Sequence, residues 1–245
     1  MTTQTTVETP NYTLRTVRWP LAALFGALLA DLTETLVDPA NSGASAKVYA
    51  AAAQHETRMI ASAICLLLSS VFIVPAVFGL TRPLVARGRV FGRIACAFAL
   101  FGAMGHAALS MLYLVWIQLP KGGADRAEML ALLDRITNAG PTAIVMPLLI
   151  AFPFAFLALF GTLVRARVVT KWVLAPVVAA PLCAIFVPGP DAAGTSAALG
   201  CFLVAAAWLV VALVSPARRS APTGARSIAA GAHYSVPILR APAAG

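Results

Sequence analysis

Three carboxylic acids stand close together near the start of the chain, in Asp31-Leu-Thr-Glu34-Thr-Leu-Val-Asp38-Pro. At about 100° per residue of helix, Asp31, Glu34 and Asp38 fall within about 60° of one another, with Thr35 beside them. One helix face would therefore carry an acidic stripe. A carboxylic acid that keeps its proton in an apolar setting is a proton donor. A charged carboxylate at membrane depth costs at least a few kcal/mol, so it is seldom there without a partner or a role. The competing reading ends the helix near residue 32 and leaves the acids in the headgroup region.

Two further groups could serve the same chemistry. His106, Ser110 and Tyr113 recur at i, i+4 and i+7 and share one helix face, which Gly102 continues. His106 would be a general base or would orient an acid on the first span, and the plain alternative is a histidine bonded to a neighbouring hydroxyl or carbonyl. The run Gln54-His55-Glu56-Thr57-Arg58 follows the acidic stripe in sequence. Arg58 or His55 could pair with Glu34 or Asp38. A zinc-protease helix needs a second histidine four residues after His55, and that residue is Met59. The plain alternative for this run is an interfacial polar cap.

The elements that must position these residues follow from composition. Of 245 residues, 60% are hydrophobic and 11% charged, and mean hydropathy is +0.86. A soluble domain carries about 25% charged residues. A soluble enzyme, a disordered chain and a disulfide scaffold are excluded, leaving an all-α polytopic membrane helix bundle. Cys65, Cys96, Cys183 and Cys201 all lie in apolar runs. Their spacing supports neither a zinc site nor a disulfide framework.

A spanning helix needs about 20 mostly apolar residues. Six stretches qualify: 19–37, 59–80, 92–119, 141–163, 172–188 and 195–214. The first follows Arg15 and Arg18 as a signal peptide would, but Ala44-Ser-Ala46 lies too far beyond it for a cleavage site. It is therefore read as a retained helix. The chain divides into a segment 1–18, the bundle 19–214 and a tail 215–245 rich in Ala, Pro, Gly, Ser and Arg, which is expected to be disordered. Pro75, Pro147, Pro153, Pro176 and Pro181 fall within spans and would kink them.

The net charge of +9 is distributed as a topology signal. With the N-terminus inside, Arg15, Arg18, Arg82, Arg87, Arg89, Arg93, Arg165, Arg167, Lys171, Arg218, Arg219, Arg226 and Arg240 are cytoplasmic. That is 13 of the 18 basic residues, against Glu8 alone among the nine acids. The positive-inside rule then places both termini in the cytoplasm of a multi-pass cell-membrane protein. No basic run is interleaved with aromatics, so a nucleic-acid partner is not expected. In the outer loop 124–138, Met129, Leu132, Leu133 and Ile136 form the apolar stripe of an amphipathic helix, set to lie flat over the outer mouth. The Ala-rich stretch 44–58 would extend the second span outward.

Aromatic side chains complete the inventory. Trp19, Trp116 and Trp172 suit an interfacial belt. Phe25, Phe72, Tyr113, Trp116 and Trp208 are the candidates to line a substrate site, since aromatic faces stabilise cations. There is no phosphate-binding loop, no nucleophile elbow and no aspartate-rich diphosphate motif, which argues against an enzyme that ionises a prenyl diphosphate. No metal or other cofactor is expected.

The stretch VFIVPAVFGLTRPLVARGRVFGRIACAFALFGAMG at 71–105 and the segment LALFGTLVRARVV at 157–169 resemble a broad group of small six-helix actinobacterial membrane proteins. The resemblance covers most of 19–214, rests on Pro, Gly and Arg positions among apolar runs, and implies a fold. The polar residues are also similar in kind to those of membrane-bound terpene cyclases acting on prenylated indoles and other meroterpenoids. That resemblance implies an isomerase-type biosynthetic reaction on a hydrophobic prenylated small molecule. Asp31 or Glu34 would be the acid, with His106 or Glu56 orienting it or taking the final proton. Asp38, His55 and Arg58 would line the site. Two other classes compete: a small proton-coupled carrier using Asp31 and Glu34, and a non-catalytic membrane subunit.

Overall fold

The computed structural model describes residues 14–40, 44–84, 89–121, 123, 125–139, 141–187 and 192–215. The expected tail after Ser215 and most of the segment 1–18 lie outside them. Every described element is helical, in the order α1 (Leu14–Val37), α2 (Ser45–Gln54), α3 (Glu56–Thr81), α4 (Arg89–Gln118), α5 (Arg126–Ala139), α6 (Pro141–Arg165), α7 (Leu174–Phe186) and α8 (Ala193–Val214). Short 3-10 turns precede α7 and follow α4.

Five helices are long and apolar enough to cross a membrane: α1, α3, α4, α6 and α8. The fifth expected span, 172–188, is shorter. Its apolar helix, with the preceding turn, runs only over Lys171–Phe186, and at 1.5 Å per residue that reaches about 24 Å of a core about 30 Å thick. Helix α1 continues to Val37, so the alternative that it stops near residue 32 does not hold. Residues 44–58 do not form one extension of the second span. The backbone breaks at His55, with φ −133°, and α2 stands as a separate helix. A helix does form at 126–139, where the amphipathic pattern lies.

The lipid-type surface is evident from what the bundle leaves uncovered. Val71, Leu100, Phe101, Ile144, Ile150 and Val211 are among many large apolar side chains on its outside. In a bilayer that costs nothing, because lipid tails are as apolar as leucine. Helices there associate through close packing rather than through exclusion of water. Helix α4 against α6 shows the means. A Cβ on Gly102 would lie 2.9 Å from Phe152 Cα, and one on Gly105 would lie 2.7 Å from the Leu149 nitrogen. Only glycine admits backbones this close.

Four in-span prolines, Pro75, Pro147, Pro153 and Pro181, sit inside helices. Pro176 does not interrupt one: it lies in the first turn of α7, where the missing N–H has no partner to lose. Trp19 and Trp172 are exposed, as a belt requires, at 73% and 65%. Trp116 departs from the belt expectation. It is buried, with its ring 5.1 Å from that of Tyr113.

Two apolar cores result. The larger joins α1, α3, α4, α6, α7 and α8 through residues such as Leu28, Ile73, Phe156 and Leu209. The smaller lies under α2 and α5 and contains Val48, Met59, Leu66, Trp116 and Leu133. Arg126 of α5 stacks over the Tyr49 ring of α2 at 5.9 Å, so the two short helices also hold each other.

Candidate functional site

The polar residues of α1, α3 and α4 meet between these cores. Helical spacing explains the gathering. On α1, Asp31, Thr35 and Asp38 follow Leu24 and Leu28 along the buried stripe. On α3 the same stripe runs through Ser62 and Ser69, and on α4 through His106, Ser110 and Tyr113. Asp31, Thr35, Asp38, His106, Ser62, Ser69 and Ser110 are all buried.

Two layers can be distinguished. In the inner layer His106 Nε2 lies 3.6 Å from Asp31 Oδ1. The other ring nitrogen, Nδ1, is 2.9 Å from the Gly102 carbonyl. A carbonyl only accepts, so Nδ1 carries a proton there, and in the neutral ring Nε2 turns a lone pair toward Asp31. The His106 ring also packs on Phe152, centroid to centroid 4.5 Å, and Phe152 begins an aromatic row that continues through Phe156 to Phe202. The fully buried Ser69 hydroxyl lies beside the Asp31 carboxyl, close enough to interact with it.

The second layer is one turn along α1. The Tyr113 hydroxyl donates to Asp38 Oδ2 at 2.7 Å and approaches Glu34 Oε1 at 3.4 Å. Asp38 Oδ1 accepts the Ala40 amide at 2.9 Å, closing the turn after α1. Thr35 donates back to the Asp31 carbonyl at 3.0 Å. Ser110 donates across to the Ala63 carbonyl at 2.7 Å, which pins α4 to α3.

The sequence-derived candidates therefore separate into groups. Asp31, Glu34, Asp38, His106 and Tyr113 come together. Glu56 does not join them; it pairs with Lys121 in an exposed position. His55 is exposed between α2 and α3. Arg58 is exposed too, and its Nε donates to the Val37 carbonyl at the end of α1, at 3.0 Å, instead of bonding to Glu34 or Asp38. Among the expected aromatic lining, Trp116 stacks on Tyr113, Phe25 packs against the bundle core, Phe72 covers Gly26, and Trp208 is 38% exposed.

Sequence reasoning missed Ser62 and Ser69. Their spacing of seven residues on an otherwise apolar span was the available signal. It also missed that α7 and α8 set the free thiols of Cys183 and Cys201 side by side. Among the described residues no three His, Cys, Asp or Glu side chains converge as a metal site. Comparison of the chain with family models, with curated proteins and with solved structures finds no match.

Proposed function

We propose that this multi-pass membrane protein is an enzyme that donates a proton from its buried carboxyl cluster to start the cyclisation of a prenyl chain. The observation that supports this reading best is the Asp31–His106 pair, enclosed by apolar helices and aligned by the Gly102 carbonyl. In the reaction, the Asp31 carboxylic acid gives its proton to an alkene or epoxide of the substrate. The resulting carbocation is attacked by an internal double bond, which forms a carbon–carbon bond and moves the cation along the chain. His106 Nε2 or the Asp31 carboxylate then takes a proton from the carbon next to the final cation. One proton enters and one leaves, so the product is an isomer. The Phe152 ring beside His106 supplies a π face of the kind that stabilises such a cation. The carboxyls of Glu34 and Asp38, tied through Tyr113, would hold the Asp31 segment of α1 in place. Glu56 has no part in this scheme, because it is committed to Lys121 at the surface.

In the proposed topology α7 completes a sixth crossing and both termini are cytoplasmic, as the basic residues require. The acid cluster and the helices α2 and α5 would then lie toward the outer side, and the substrate would enter from the bilayer.

The test is incubation of the detergent-purified protein with prenylated indoles and farnesyl-type substrates, followed by chromatography with mass detection. A product of unchanged mass and shifted retention is expected, and it should disappear in well-folded Asp31→Asn. Absence of any isomer across the substrate panel would remove the cyclase reading, and a proton-coupled carrier would then be tested by uptake into vesicles.

A further inference from the structure

The two ends of the bundle hold their cations differently. At the α2–α5 end, Lys121 pairs with Glu56, Arg58 donates to the Val37 carbonyl, and Arg126 stacks on Tyr49. At the opposite end stand Arg15, Arg18, Arg82, Arg89, Arg93, Arg165, Arg167 and Lys171, all exposed, and among the described residues no Asp or Glu lies there. Antiparallel packing gathers these cations from several helices. Arg165 at the close of α6 lies over Phe91 at the start of α4, 5.6 Å from the ring centroid. Lys171 Nζ lies over the Trp172 ring at 5.7 Å. Both rings belong to the lipid-type surface, Phe91 at 47% and Trp172 at 65% exposure.

One of these cations stands where the backbone disfavours it. Helix α6 closes with two turn bonds: the Val168 amide donates to the Leu163 carbonyl, and the Arg167 amide to the Val164 carbonyl, both at 2.9 Å. That closure puts the residue after the helix in the left-handed region, where glycine is the usual choice. Here the residue is Arg167, with φ 59°, and among the described residues no other non-glycine residue has a positive φ. A Cβ in that region crowds the backbone. Burial of Val168, Val169 and Val173 in the bundle core fixes the turn itself. Packing therefore explains the turn but not the arginine, since glycine would make the same bonds without strain. A side chain kept against backbone preference points to a task for that side chain.

We propose that the turn between α6 and α7 binds the headgroup phosphate of an anionic phospholipid through Arg165, Arg167 and Lys171. A guanidinium fork matches phosphate oxygens in pairs, and basic groups at a bilayer surface attract anionic headgroups. The rings beneath Arg165 and Lys171 favour a lipid over a soluble anion. Phe91 and Trp172, with Val90 and Ile94 also exposed on α4, would lie against acyl chains while the cations above them reach headgroup level. In the proposed topology this end faces the cytoplasmic leaflet. The inference does not rest on the cyclisation reading, because lipid binding is detected without turnover.

The experiment is thermal unfolding of the full chain in nanodiscs of zwitterionic phosphatidylcholine, with and without phosphatidylglycerol. A separate arm adds inorganic phosphate to the detergent-purified protein. Each tenfold of phosphatidylglycerol above its Kd should raise the Tm by about 3–5 °C. Arg167→Gly removes the cation and the strain together. Its Tm in phosphatidylcholine should not fall, while its gain from phosphatidylglycerol should drop by about half or more. Arg165→Gln, which leaves the turn intact, should lose a comparable share. Arg135→Gln, at an exposed cation on α5, should keep the gain in full. Equal Tm values in the two lipid compositions would overturn the proposal, as would an undiminished gain in Arg167→Gly. An equal loss in Arg135→Gln would overturn it in favour of a response to net charge, and a matching gain from inorganic phosphate in favour of a soluble anion. A lower Tm for Arg167→Gly in phosphatidylcholine would assign the arginine to the fold and overturn it too.

Discussion

The bundle core and the core beneath α2 and α5 are built on different terms. The bundle core draws on six helices and is filled by leucine, isoleucine and phenylalanine, with alanine and glycine where backbones meet. The smaller core is closed by two short helices, and its largest members are Tyr113 and Trp116, each with a polar atom. The acidic layer lies at the seam. Along α1 it begins after Leu28 and ends before Ala40; along α4 it lies between Ala99 and Trp116. A bundle that packs only by close fit has no need of polar atoms. A seam where a polar cap meets that bundle is where polar groups can be enclosed and still find partners.

The largest expected effect separates the two regions. Phe156 is fully buried in the bundle core, between Phe152 and Phe202. Phe156→Ala should cost about 3–5 kcal/mol and lower the single thermal transition of the whole bundle. Retention of the native Tm would mean that the aromatic row is not packed as described.

A smaller effect is expected at the seam. Tyr113→Phe leaves Asp38 Oδ2 and Glu34 without their shared donor and should cost about 1–3 kcal/mol. Amide hydrogen exchange followed by mass spectrometry should show α2 and α5 opening faster, with α6 and α8 unchanged. Faster exchange throughout the chain would show that cap and bundle form one cooperative unit.

The smallest effect belongs to the rim. Glu56→Gln removes a pairing with Lys121 in which both side chains are nearly half exposed. Such pairs contribute about 0–1 kcal/mol, so Tm and isomer formation should both stay within error of the native protein. Loss of the isomer here would return Glu56 to the catalytic set.

These contrasts also mark how far the sequence could be read. The acidic stripe was legible because helical periodicity alone places Asp31, Glu34 and Asp38 on one face. His106, Ser110 and Tyr113 were legible for the same reason. The pairing of His106 with Asp31 was not, because it depends on how α1 and α4 rotate and slide against each other. His55, Glu56 and Arg58 misled as site candidates because nearness in sequence is not nearness in space. The break at His55 sends that run to the surface, where Arg58 caps α1. The fifth expected span, 172–188, is longer than the α-helix that forms, Leu174–Phe186, because hydropathy does not register the extended backbone at Val187.

Composition and periodicity by themselves determined that this chain is an all-helical membrane protein with an acidic face on its first helix. Those properties are local, set by side-chain polarity and by 3.6 residues per turn. The tertiary structure alone decided that His106 and Ser69 face Asp31, that Tyr113 joins Glu34 to Asp38, and that Gly102 both admits α6 and orients the histidine. Such contacts arise between helices far apart in sequence, and they depend on backbone approaches set by the packing of the whole bundle.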